Sequence, residues 1–345
     1  MAVSLVLGLA LATFTVRASE PPLRYATTWV GNTFGGGPKW VQNFAENLHI
    51  LPDGTCIVGS FWDEAGREVG IYKEGQPVGK LDHTHMRGGK AVAATDKYIF
   101  YANTSARTDQ PEVKAGQVAP KKAICYFGVS RFTRDGKPAP FAGGVMNERH
   151  MQSLREAPDN HDLIPRGLAT DGQLLYVADT AANRVVVLDA EMMVEVRAFA
   201  AEAPERLALD GKGHLWAVQS GGRTLIRMNT SGAEVLTKVL PDGVVAEAID
   251  FAPEGTLLVC DNGPRQQVIA FNSDLQEVDT FGERGGMFAG PSPGRAGPFR
   301  LAGPTGCGFD AAGNFYVACN VPRGGTVLRA FAPKSPKPRL SETNA

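Results

Sequence analysis

One phrase, returning at intervals of roughly 40 to 45 residues, limits what this chain can fold into more than any bulk property does. A short apolar strand runs into an Asp-Gly turn, a second apolar strand ends at a polar residue, and a third strand follows. Its clearest copy begins at Pro165-Arg166-Gly167, turns at Asp171-Gly172, continues through Leu174 to Asp179 and resumes from Asn183 to Asp189. Further copies run from Pro204 to Met228, from Ala246 to Asn272 and from Pro304 to Phe331. A unit of several strands joined by tight turns cannot bury both faces of its sheet alone, so the units must stack around a ring. The expected fold is all-β, a six-bladed β-propeller.

The innermost strands of the six blades are expected to begin near Phe44, Ala91, Arg166, Glu205, Glu247 and Thr305. Turns such as Pro52-Asp53-Gly54 and Thr170-Asp171-Gly172 supply the positive φ angles that a tight hairpin needs. The last blade runs out after Phe331, while Tyr25 to Val30 is a β-prone strand with no blade of its own. The economical solution is that this N-terminal strand closes the last blade and leaves no open edge. Three polar or Gly/Pro-rich stretches, Thr104 to Lys122, Met146 to Leu163 and Gly282 to Gly303, break the period and read as surface loops.

The domain plan is therefore a signal peptide at 1–18, one propeller at 19–333 and a tail at 334–345. The apolar run Val3 to Val16 ends at a small-residue cleavage pattern and is too short to span a bilayer, so export is expected, to a periplasm or outside the cell, with no membrane span. Lys plus Arg number 35 against 36 Asp plus Glu, a balance that leaves no basic excess for nucleic acid. The five cysteines are an odd number scattered through strands, which favours buried thiols; Cys307 with Cys319 is the pair to test. Gly282 to Gly286 and Gly290 to Gly294 lack the Gly-Lys-Ser/Thr ending of a phosphate cradle and read as loops. No Gly-x-Ser-x-Gly elbow is present.

The segment Val177 to Asp189 resembles the NHL repeat, and Asp261 to Phe271 resembles a variant of it. Blades one, three and four are also similar to the gluconolactonase (regucalcin-like) family of six-bladed propellers. That resemblance implies a divalent cation at the channel mouth, held by a Glu, an Asn and an Asp from three blades. Phrase by phrase, Glu46 matches the Glu position, Arg166 the Asn position and Glu205 the Asp position. A guanidinium cannot coordinate a metal, so Arg166 is expected to stand in for the cation, flanked by Glu46, Glu205 and Glu247. These residues carry the candidate site, with Glu46, Arg166 and Glu205 as the catalytic set if the chain is an enzyme and Glu247 beside them in ligand binding.

Other candidates come from residue chemistry. Trp40 and Trp62, with Trp29, Phe61 and Tyr72, offer flat apolar faces for sugar stacking, against the plainer role of packing between blades. His83, His85, His150 and His161 fall in connections expected to cross one face, where imidazoles can hold a metal; lyases of the NHL-propeller type, by resemblance, use histidines from different blades for zinc. No cofactor is demanded; a divalent metal is the expected ion if one binds, Zn²⁺ at the histidines or Ca²⁺ at the carboxylates. Asp179 with Arg184, and Asp261 with Arg265, recur after the second strand and read as a repeated turn-stabilising bond. The functional expectation is an exported module that binds a small molecule, carbohydrate or protein ligand, the alternative being a lactone hydrolase or lyase at the channel mouth.

Overall fold

In the computed structural model, residues 23–31, 40–41, 44–60, 68–74, 76–82, 89–107, 124–155, 161–291, 293–295, 297–321 and 325–333 are described. They form six antiparallel sheets in a ring, as the repeat demands. Blade 1 comprises Ala45–Ile50, Cys56–Ser60, Val69–Lys73 and Gln76–Lys80; blade 2 comprises Ala91–Ala94, Tyr98–Arg107, Ile124–Thr133 and Glu148–Arg155. Blade 3 follows as Gly167–Thr170, Leu174–Asp179, Arg184–Asp189 and Glu195–Ala200, and blade 4 as Pro204–Leu209, His214–Gln219, Thr224–Asn229 and Glu234–Val239. Ala246–Phe251, Leu257–Asp261, Val268–Phe271 and Glu277–Phe281 make blade 5.

Blade 6 is composite. Its strands Pro304–Phe309, Phe315–Val321 and Gly325–Pro333 are completed by the N-terminal strand Leu23–Gly31, which pairs antiparallel with Gly325–Pro333. This is the ring closure that the sequence predicts. A short fifth strand, Trp40–Val41, adds parallel to its outer edge, which the repeat did not announce.

The apolar runs read as they do because each middle strand is buried on both faces. In Leu174–Asp179, Leu175 and Val177 point toward blade 2 while Tyr176 and Ala178 point toward blade 4, and all four are at most 1 % exposed. The same alternation gives one apolar cluster between every two neighbouring blades. At about 1.5–3 kcal/mol per fully buried large side chain, these seams hold the ring together. Trp216 and Tyr72 belong to them, Trp216 between blades 4 and 5 and Tyr72 between blades 1 and 6, so neither is offered to a ligand.

Two of the three loop expectations change. Glu148–Arg155 lies inside the stretch expected as a loop and is instead the outermost strand of blade 2, and Tyr98–Arg107 extends into another. Gly286–Phe288 is a single 3-10 turn within the third. All five cysteines are free and buried. Cys307 packs against Cys260 in the seam between blades 5 and 6, with Cys319 in the same cluster. No helix among the described residues is long and apolar enough to cross a membrane. The expected signal peptide and C-terminal tail lie outside the described residues.

Candidate functional site

The innermost strands meet at one end of the central channel, and each delivers a side chain there. In four blades a register step does this: the ladder passes from Ala45 to Asn47, from Pro204 to Leu207, from Ala246 to Ala248 and from Pro304 to Gly306. A bulge leaves the skipped residues outside the ladder and re-aims their side chains. Those residues are Glu46, Glu205 with Arg206, Glu247 and Thr305. In blades 2 and 3, Lys90 and Arg166 sit just before the first strand, their N–H groups donating to Ala102 O at 3.0 Å and Ala178 O at 3.1 Å.

Together with Ser220, Asn262 and Asn320 these residues line a cavity of about 500 Å³. Gly167 lets blades 3 and 4 approach at this point, since a Cβ there would lie 1.9 Å from Glu205 O. Any other residue after Arg166 would push the two inner strands apart.

The charges pair around the ring. Lys90 Nζ is 3.0 Å from Glu46 Oε2, Arg166 Nη1 is 3.1 Å from Glu205 Oε1, and Arg206 Nη2 is 3.2 Å from Glu247 Oε1. Arg166 Nη2 also donates to the exposed Asp162 at 3.0 Å. Arg206 does more than pair, because it donates through Nη1 to Lys90 O at 2.6 Å and to Arg166 O at 2.9 Å, and through Nε to Glu247 O at 3.0 Å. One side chain thus ties blades 2, 3, 4 and 5 across the channel.

This corrects the expected arrangement. Arg166 does not gather Glu46, Glu205 and Glu247 around itself: of the three it bonds Glu205 alone, while Lys90 takes Glu46 and Arg206 takes Glu247. The guanidinium that spans the channel is that of Arg206, because the blade 4 bulge sends two consecutive residues to the mouth. Aligning the phrases one residue per blade hides the second. Lys90 was legible, since it precedes Ala91 as Arg166 precedes Gly167.

The histidines are not assembled among the described residues. His150 sits on the outer strand of blade 2, its Nε2 2.8 Å from Glu148 Oε2 and its ring stacked on Tyr126 at 4.3 Å. His83, His85 and Trp62 lie outside the described residues, and the side chains of His161 and Trp40 do as well. No group of three or more His, Cys, Asp or Glu suited to a metal occurs among the described residues.

Deeper along the same strands lie two ionisable residues that sequence reasoning passed over. His49 and Asp250 hold the same strand position in blades 1 and 5, opposite Ile57 and Leu258, where the other blades carry Ala93, Ala169, Ala208 and Gly308. Burial lowers His49 to about 4, with Arg134 adding to the effect and a hydrogen bond to the Ala94 backbone opposing it. Burial raises Asp250 to about 7, opposed by the N–H of Phe251 donating to Oδ1 at 2.8 Å. His49 is therefore uncharged near neutrality, while Asp250 is about half protonated there. Only an alignment of all six inner strands shows them as departures from a small-residue position.

No protein-family model matches this chain, and no curated protein matches it in sequence. Similar solved structures do exist. The virginiamycin B lyase of Staphylococcus aureus shares 12 % identity at a TM-score of 0.50, over 84 % of this chain and 94 % of that one. A streptogramin B lyase shares 12 % identity at a TM-score of 0.50, over 88 % and 98 %. At this identity the likeness is one of fold.

Proposed function

We propose that this chain is an exported propeller of the NHL type that binds a small polar ligand at the channel mouth. The observation that carries this reading is the convergence of a side chain from every blade on one cavity of about 500 Å³, within the roughly 300–1,000 Å³ usual for small-molecule sites. Polar groups fixed on strands of a rigid ring give a pre-organised surface, which lowers the entropy cost of binding. Every carboxylate there is already engaged by a cation, an arrangement suited to recognition more than to proton transfer.

The enzymatic alternative, a lactone hydrolase or lyase using Glu46 and Glu205 as acid and base, occupies the same mouth. The lyases of similar fold support it at the level of architecture. A thermal-shift ligand screen on the wild type and on Glu205→Ala tests the reading: stabilising compounds should lose their effect in the variant. Compounds that stabilise both proteins equally would place binding elsewhere, and turnover of a lactone that Glu46→Gln abolishes would replace a binding module with an enzyme.

A further inference from the structure

The charges of the mouth cancel within the ring. Glu46, Glu205 and Glu247 face Lys90, Arg166 and Arg206, and each is held within 3.2 Å of its partner. Their side chains are between 15 % and 33 % exposed, so an extra charge brought among them would have to break a pair or remain uncompensated in a partly desolvated site. The ring favours an uncharged guest.

What the mouth leaves unsatisfied is hydrogen bonding at one atom on each of two facing walls. Thr305, which is 5 % exposed, has a buried Oγ1 with no partner, and Arg166 Nε is buried and unpartnered as well. Thr305 stands at the mouth between Glu247 of blade 5 and Glu46 of blade 1. Around it, at the mouth ends of the second strands of blades 4, 5 and 6, Ser220, Asn262 and Asn320 line the same wall. A buried hydroxyl without a partner costs about 1–3 kcal/mol, so a group that satisfies it gains correspondingly. No aromatic side chain is among the described residues that line the cavity, which leaves hydrogen bonding as the means of recognition.

Resting on the binding function proposed above, we propose that Ser220, Asn262, Thr305 and Asn320 form a specificity-determining arc for an uncharged, polyhydroxylated small molecule. Hydroxyl and amide side chains each donate and accept, as ligand hydroxyls do, so the two sets match in either sense. Arg166 Nε–H supplies one donor from the facing wall. Glu46 and Glu247 flank Thr305 as acceptors for a second hydroxyl of the ligand.

Calorimetric titration with three matched sets of probes tests this: neutral hexoses and hexitols, the corresponding uronic acids, and the corresponding amino sugars. The expected result is binding of a neutral probe at least about ten-fold tighter than its charged counterparts, with Thr305→Val and, independently, Ser220→Ala each weakening it by about ten-fold. The unchanged melting temperature of Ser220→Ala would show that the loss is not one of folding. Preference for a uronic acid or an amino sugar, itself lost in Glu205→Ala, would overturn the arc while leaving the mouth as the binding site. A neutral probe whose affinity neither Thr305→Val nor Ser220→Ala changes would also overturn it. Failure of all three sets to bind would overturn the arc; the binding function falls with it only if the thermal-shift screen also finds no ligand that Glu205→Ala loses.

Discussion

The mouth of the channel and its wall place ionisable groups by opposite means, although the same six strands build both. At the mouth, bulges release side chains from the ladder and each charge finds a counter-charge, as Lys90 finds Glu46. Three residues deeper, His49 and Asp250 remain in the ladder, and neither has an ion-pair partner among the described residues. Desolvation without a counter-charge disfavours the charged form, which lowers His49 and raises Asp250. In four of the six blades a bulge thus separates the paired groups of the mouth from the ladder positions below them.

The comparison breaks most visibly at Arg206. Arg206→Ala removes the donors to Lys90 O, Arg166 O and Glu247 O and leaves the Glu247 carboxylate without its cation. We expect a loss of about 3 kcal/mol in urea denaturation. A loss below about 1 kcal/mol would mean that the apolar seams alone hold the ring.

The next effect belongs to the wall. Asp250 has a folded value of about 7 against 3.8, so the folded state keeps a proton that the unfolded state releases, and stability falls as pH rises through that window. Asp250→Asn removes the penalty and should stabilise the protein at pH 8 by about 2 kcal/mol, less than the full shift implies because water can enter the channel. Equal stability of variant and wild type at pH 8 would contradict a buried acid.

His49 sharpens the contrast by running the other way. Its folded value of about 4 lies below 6.5, so the unfolded state binds the extra proton and stability rises with pH across that interval. Between about pH 4 and 6.5 the two slopes oppose each other, and the wild type should show a nearly flat profile. His49→Gln should uncover a profile that falls with pH, and Asp250→Asn one that rises; denaturation midpoints across this range read both. The groups facing His49 and Asp250, Arg134 and Cys307 respectively, are unchanged in either variant.

The smallest expected effect concerns the exits of the second strands. In blade 3, Arg184 Nε donates to Asp179 Oδ2 at 2.8 Å, and Gln152 of blade 2 donates to Oδ1. Arg184→Ala should cost about 1 kcal/mol by the same denaturation assay, and an undetectable change would make the pair a surface ornament.

That motif also marks where the sequence could be read and where it could not. The first strands begin within a residue of their expected positions, because a middle strand buried on both faces must read as a continuous apolar run with a turn before it. The Asp-Arg recurrence fails in blade 5 for a reason of register. Asp179 is followed by Arg184 after five residues, which places the two opposite each other, whereas Asp261 faces Gln267, and Arg265 falls in the turn. Arg265 then grips Glu277 at 2.6 and 2.7 Å, while Asp261 Oδ1 accepts the N–H groups of Val245 and Gly263. One residue of spacing redirects the bond. The mouth was legible in its carboxylates, Glu46, Glu205 and Glu247, but not in Arg206, since a bulge that delivers two residues leaves no mark in the hydrophobic period.

The claim that the carboxylates of the mouth are already neutralised by Lys90, Arg166 and Arg206 is tested most directly by calcium titration of the wild-type protein, read as melting temperature. The account predicts no saturable shift up to millimolar Ca²⁺. A saturable rise that Glu46→Gln abolishes would show a metal held at the mouth and would contradict it.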